Sequence, residues 1–224
     1  MKRRSILVNG IIIAVAGFVC ILLYRHLRQS NRTAFTDQIV DSVGLTIVLI
    51  GQYLRISARG YKSEKHLLKN MLIVDGPYAF VRNPMYLASF LIGLGIVILL
   101  LRWWLIPVYL GLFLLWYWPQ IHNEQKWLVE KFAQEYVNYC KETPCFFPHL
   151  KALVGLKAKK YIPLKLAWLK KEWNTILIWS LVVVIVEGYE DISSYSFEVF
   201  VKEFLFLLLI VFYFTAFAFL FREE

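Results

Sequence analysis

The chain has 224 residues, of which 59% are hydrophobic, 17% aromatic and only 18% charged, with a mean hydropathy of +0.55. A soluble domain of this size has too little interior to hide that much apolar surface, so the composition excludes an ordinary water-soluble fold. The net charge of +9 reads as membrane topology plus attraction to anionic headgroups, and without a basic stripe apart from the membrane flanks no nucleic acid partner is expected.

In chain order the apolar residues form blocks nearly free of charge at 6–24, 39–54, 86–101, 105–118, 175–186 and 204–221. A helix needs about 20 residues to cross the hydrocarbon core, with about 17 tolerated. The expected fold is therefore all-α, a polytopic membrane helix bundle of about six transmembrane helices plus cytoplasmic amphipathic helices. The fifth block is short and leans on Trp173 and Tyr189 at the interface. The first block follows Lys2-Arg3-Arg4 but is closed by Arg25, His26 and Arg28 rather than by a small-residue cleavage site, which suits a retained anchor.

With the N-terminus inside, Lys and Arg number three at 2–4, six at 55–82, ten at 126–171 and one at Arg222, against five on the other side. The positive-inside rule then places both termini in the cytoplasm. The chain divides into two N-terminal spans (1–58), a core of loop, hairpin and amphipathic helix (59–150), and a basic connector with two further spans (151–224).

Only Arg102, Trp103 and Trp104 separate the third and fourth blocks, so these form an antiparallel hairpin whose open ends face the cytoplasm. The stretch from His122 to Tyr139 has Trp127, Leu128, Phe132, Glu135, Tyr136 and Tyr139 at helical spacing with charges between them, and reads as an amphipathic helix against the membrane. Residues 151–172 read as a basic interfacial connector, broken at Pro163. Cys20, Cys140, Cys145 and the four histidines form no ligand pattern, so no metal is expected. The polar sequences at the two ends of the hairpin meet in space, half in lipid and half in water, where a polar cofactor and a lipid substrate are both within reach.

The densest local signal is Gly76-Pro77-Tyr78-Ala-Phe-Val-Arg82-Asn83-Pro84-Met85-Tyr86. Taken singly, Asn83 is a good N-cap, Pro84 suits the first helical position, Arg82 is a headgroup anchor and the tyrosines belong to an interfacial belt. Taken together, the cluster reads equally as a functional loop. Gly93 and Gly95, with Ser89, favour close helix packing over a ligand role by about two to one.

The segment resembles the isoprenylcysteine carboxyl methyltransferase family, whose relatives include phospholipid N-methyltransferases. The resemblance rests on Gly76-Pro77-Tyr78, Arg82-Asn83-Pro84-Met85-Tyr86, Glu124, Phe132-Ala-Gln-Glu135-Tyr136-Val-Asn-Tyr139, and Pro144 through Pro148, in the family's order over about residues 63–148. It implies that Asn70, Met71, Leu72, Ile73, Tyr78, Asn83, Pro84, Met85, Tyr86 and Glu124 enclose S-adenosylmethionine, and that Arg82 and Gln120 face the substrate. Methyl transfer from a sulfonium needs alignment and exclusion of water rather than a metal. Aromatic faces attract the cation, and Glu124 accepts hydrogen bonds from ammonium or hydroxyl groups. No Gly-x-Gly-x-x-Gly follows a strand, which argues against a Rossmann site.

The chain departs from the family pattern at several points. Asn83 and Asn70 stand where His is usual, Ala88 and Ala133 replace glycines, and Gln120 and Cys145 replace arginines. Losing the cation at Gln120 removes a partner for a carboxylate and makes a neutral or cationic nucleophile easier to accommodate. The implied activity is methylation of a lipophilic or lipid acceptor in the bilayer, by a chain whose oligomeric state the sequence leaves open. An NADPH-dependent membrane reductase of related architecture and a non-catalytic membrane scaffold are the alternatives.

Overall fold

The computed structural model of the chain describes residues 34–65, 71–99 and 104–148, most of 161–183, and Val201 and Leu205. Its continuously described helices are α1 (Ala34–Lys65), α2 (Pro77–Phe80), α3 (Pro84–Leu99) and α4 (Leu105–Glu142). One described helix, Ile39–Lys65 within α1, is long and apolar enough to cross a membrane, while Pro84–Leu99 and Asn174–Val183 are apolar but shorter. The block at 6–24, the block at 204–221 apart from Leu205, and Asn70 and Cys20 lie outside the described residues.

Helix α1 continues past the expected end of its apolar block at Leu54, so Arg55, Arg59, Lys62 and Lys65 ride on a helix rather than in a loop. Lys62 and Lys65 fall in its last turn, where the helix dipole favours positive charge. Three glycines let α1 and α3 approach closely. A Cβ on Gly95 would sit 2.6 Å from the carbonyl oxygen of Gly44, and one on Gly51 would sit 2.9 Å from that of Ala88. Gly93 faces the other way, where a Cβ would collide with Tyr109 of α4. Both glycines of the Gly93-Leu94-Gly95 run are thus packing residues.

Between α3 and α4 the hairpin is filled by aromatic rings. Phe90 meets Phe113 at 5.0 Å and Phe146 at 5.6 Å between centroids, Phe113 stacks on Tyr117 at 4.5 Å, and Tyr86 meets Tyr117 at 5.6 Å. Edge-to-face and offset contacts of this kind stabilise beyond the burial they provide.

The sequence divides residues 105–142 into a span and a separate amphipathic helix, whereas the structure joins them. Helix α4 runs through Pro119 and bends at Ala133, whose backbone is at φ 43°, ψ −119°. That is a glycine conformation, adopted also by Gly76 at φ 59°, ψ −130° before α2. Alanine there carries strain. Replacing it with glycine, Ala133→Gly, is expected to stabilise the fold by about 1 kcal/mol. Chemical unfolding of the two proteins in the same micelles checks this. A destabilised Ala133→Gly would mean that the bend is not strained.

The basic connector packs on α1 as a strap. Ser57 Oγ donates to the Pro163 carbonyl at 2.6 Å, and the Tyr53 hydroxyl donates to that of Ile162 at 3.3 Å. Pro163, expected as a break in an interfacial segment, is buried against α1. Farther along, Glu172 is only 1% exposed and lies between Arg55 (3.4 Å) and Arg59 (2.7 Å). Arg55 also donates to Ser89 Oγ of α3 at 2.6 Å. A buried carboxylate held by two guanidiniums ties strap, α1 and α3 into one unit.

Candidate functional site

The two open ends of the α3–α4 hairpin are stapled together. The backbone N–H of Arg82 donates to the Pro144 carbonyl at 2.9 Å. Asn83 Nδ2 donates to the Cys145 carbonyl at 3.0 Å, Arg82 Nη1 donates to Cys140 Sγ at 2.7 Å, and the Tyr139 hydroxyl donates to the Tyr78 carbonyl at 2.6 Å. Asn83 also serves as the N-terminal boundary of α3, since its carbonyl accepts the N–H of Leu87 at 3.0 Å. One residue therefore starts the helix and ties it to the far end of the hairpin.

Above this staple lies a cleft of about 140 Å³. Its floor and one wall are Tyr78, Arg82 and Asn83 with Met71, Leu72 and Ile73; the opposite wall is α4, with Glu124, Trp127, Leu128, Lys131, Phe132, Tyr136 and Tyr139; Lys62 and Lys65 of α1 close the rim. The rim is accessible, with Met71 69% and Trp127 53% exposed, while Tyr136, Tyr139 and Asn83 are buried. The bend at Ala133 lies between Phe132 and Tyr136, both of which line the cleft.

Of the residues that the resemblance implies, the structure brings Met71, Leu72, Ile73, Tyr78, Arg82, Asn83 and Glu124 to this one cleft. Tyr86 stands behind it, in hydrogen-bonding contact with Glu124. Pro84 and Met85 form the first turn of α3 and do not line the cleft; Pro84 is buried. Gln120 is exposed, one turn before Glu124, and also lies outside the lining. Lys62, Lys65, Trp127, Leu128 and Lys131 are lining residues that no motif marked. The helical spacing of Trp127 and Leu128 put them on an apolar face of α4. The two α1 lysines needed the length of α1 to be known.

The electrostatics are lopsided. Four cationic side chains, Lys62, Lys65, Arg82 and Lys131, line the cleft with the one carboxylate of Glu124. Lys62 Nζ lies 3.5 Å from Glu124 Oε1, a half-exposed pair worth little in stability. Lys131 lies over the rings of Trp127 at 4.9 Å and Phe132 at 5.1 Å. Arg82 Nε is buried with no hydrogen-bond partner among the described residues, while the rest of the guanidinium is held by Cys140 and Tyr136. Burial, followed by the charge of Glu124, pushes the Tyr78 phenol well above its ordinary range. Tyr139 is raised by burial as well, and burial pushes Tyr136 up to about 12 while Arg82 beside it works against the shift. These tyrosines stay protonated near neutral pH and act as donors and ring faces, not as bases.

This donor set fits S-adenosylmethionine. Ring faces suit an adenine and a sulfonium, Glu124 suits an ammonium or ribose hydroxyl, and Arg82 with the lysines suits a carboxylate. Among the described residues no group of His, Cys, Asp and Glu is placed to hold a metal.

A family model described as phospholipid methyltransferase matches residues 39–135, from early α1 to the bend of α4. The protein-S-isoprenylcysteine O-methyltransferase of Schizosaccharomyces pombe is 31% identical over 124 residues, covering 51% of this chain and 52% of that protein. The enzyme of the same name from Saccharomyces cerevisiae is 32% identical over 109 residues, 43% of this chain and 44% of that protein. The cobalt-zinc-cadmium resistance protein CzcN of Cupriavidus metallidurans is 28% identical over 146 residues, 64% of each chain. The chain thus spans about half the length of the first two relatives, and no solved structure matches it. The chain is similar to phospholipid methyltransferases over residues 39–135 and to protein-S-isoprenylcysteine O-methyltransferases over about half its length.

Proposed function

We propose that the chain is a membrane-embedded, S-adenosylmethionine-dependent methyltransferase acting on a lipophilic acceptor, with the cleft at the cytoplasmic end of the hairpin. The observation that carries this reading is the convergence in one cleft of three tyrosines, a single carboxylate and the Arg82 guanidinium, with Tyr78, Arg82 and Glu124 inside the matched segment. When bound, S-adenosylmethionine supplies an electrophilic methyl group on a sulfonium. Tyr78 and Tyr139 present ring faces to that cation, Glu124 accepts from ammonium or hydroxyl donors, and Met71, Leu72 and Ile73 form an apolar wall that excludes water. Pro84, Met85 and Tyr86 support the cleft from behind. Asn70, implied by the family pattern, completes the set in this reading.

The cleft's charge also bears on the acceptor. Arginine is missing at Gln120, but Lys62, Lys65, Arg82 and Lys131 supply positive charge from other elements. An anionic acceptor is therefore better matched than the neutral or cationic one that Gln120 alone suggested. An anion is also already nucleophilic, which suits a cleft whose tyrosines are held neutral. The same basic quartet is the one feature that favours the second reading, an NADPH-dependent reductase.

Calorimetric titration of the purified full chain separates these readings. S-adenosylmethionine and S-adenosylhomocysteine are expected to bind and NADPH not, with Glu124→Ala weakening both sulfur compounds about tenfold, the loss of a charge-assisted hydrogen bond. Binding of neither would overturn the proposal, and tight NADPH binding would favour the reductase. With labelled methyl donor, a prenylated cysteine carboxylate is expected to be methylated and a long-chain amine not. The reverse result would return the acceptor to the cationic class.

The raised phenols set a pH limit. The folded state keeps Tyr136 neutral up to about 12, whereas the unfolded chain ionises near 10.0. Its contribution to stability is therefore intact below the lower value and lost as pH rises through the upper one. The native chain and Tyr136→Phe are expected to run parallel from neutral pH to about 10, then diverge, with the native chain losing stability more steeply. Unfolding midpoints measured against pH check this, and parallel curves throughout would contradict it.

A further inference from the structure

We infer that residues 161–172, which lie outside the family-matched segment, are a positioning element for the cleft, with Trp168 setting two of its walls at once. The inference rests on the cleft being the ligand site, but its first test does not depend on which ligand binds.

Trp168 is 1% exposed and fills a notch made by Gly60 of α1, where an added Cβ would lie 2.1 Å from the indole. The edge of the indole meets the Tyr61 ring, with centroids 6.5 Å apart and planes at 84°. Tyr61 in turn lies against Gly76, where a Cβ would come within 2.9 Å of the ring. Gly76 opens the turn that carries Tyr78 into the cleft. The indole Nε1 also donates to Glu64 Oε1 at 2.8 Å, and Lys165 Nζ meets Glu64 Oε2 at 2.9 Å. Glu64 sits between Lys62 and Lys65 in the last turn of α1, so both rim lysines ride on a turn that the strap holds. A second contact reaches the same wall: Tyr161 packs on Phe80 at 6.2 Å, two residues beyond Tyr78. The far end is pinned by buried Glu172 between Arg55 and Arg59.

The Trp168 contacts fall on Gly60, Tyr61 and Glu64 of α1, away from the rings between α3 and α4. Displacing Trp168 should therefore loosen the α1 rim and the Gly76 turn while the hairpin core keeps its packing. Gly60→Ala is the cleanest displacement, because alanine favours helix in α1 while its Cβ evicts the indole.

Amide hydrogen exchange of the ligand-free full chain in nanodiscs reads the loosening region by region. In Gly60→Ala and Trp168→Ala, exchange over 71–81 is expected to rise by about tenfold or more, with 84–99 unchanged. Trp168→Phe, which keeps a ring in the notch, should stay within about twofold of native. Native exchange over 71–81 in both alanine variants would overturn the inference. Equal acceleration over 84–99 would also overturn it, since the strap would then be merely structural. If neither alanine variant folds, Trp168→Leu, which keeps an apolar side chain in the notch but removes the ring from Tyr61, is judged by the same pattern. Titration with S-adenosylhomocysteine supplies the second readout: affinity should fall about fivefold or more in the loosened variants, and native affinity there would overturn a positioning role. Failure of the native chain to bind this compound would count against the cofactor reading alone, and the exchange pattern would still decide the strap.

Discussion

The tie between Arg82-Asn83 and Pro144-Cys145 is the contact on which the rest depends. A helical hairpin on its own leaves its two ends free to splay. Here four hydrogen bonds, two from Arg82 and one each from Asn83 and Tyr139, close the open end. The rings between α3 and α4 hold the rest of the hairpin at a fixed separation. Closure brings the Tyr78 turn against α4, and the bend at Ala133 turns the last part of α4 back over it. The cleft is what remains between them.

Helix α1 gives this hairpin its third wall. Its glycine contacts with α3 are close enough that register and depth are fixed together, because a shift in either drives backbone into backbone. Its basic last turn then reaches the cleft as a rim of lysines. Lys62 and Lys65 bring positive charge to the cleft from α1.

Much of this was legible in the residues. The hairpin followed from only Arg102, Trp103 and Trp104 separating two apolar blocks, and the meeting of its ends followed from topology. Gly76 and Pro77 announced a turn, and Asn83-Pro84 announced a helix start, which the Leu87 N–H to Asn83 bond makes concrete. What Asn83 does with its side chain was not legible, because its partner, the Cys145 carbonyl, is a backbone group 62 residues away. The length of α1 was hidden by its charge: hydropathy stops at Leu54, but helix propensity and the dipole carry the helix through Arg55 to Lys65. The merged α4 was hidden by Pro119, which usually ends a helix. The strap was read as an interfacial connector because its lysines mask how Trp168, Leu164 and Pro163 bury themselves on α1. A long-range fit of that kind has no local signature. Of the expected spans, the described residues contain one helix that meets the length and hydropathy needed to cross a membrane.

The central claim is that the methyl donor sits where the two ends of the hairpin are stapled. A structure of the full chain in nanodiscs with S-adenosylhomocysteine bound tests it most directly. The account predicts ligand density in the cleft, in contact with Tyr78, Glu124 and Tyr139 and within reach of Arg82. Density elsewhere in the chain, with this cleft empty, would contradict it.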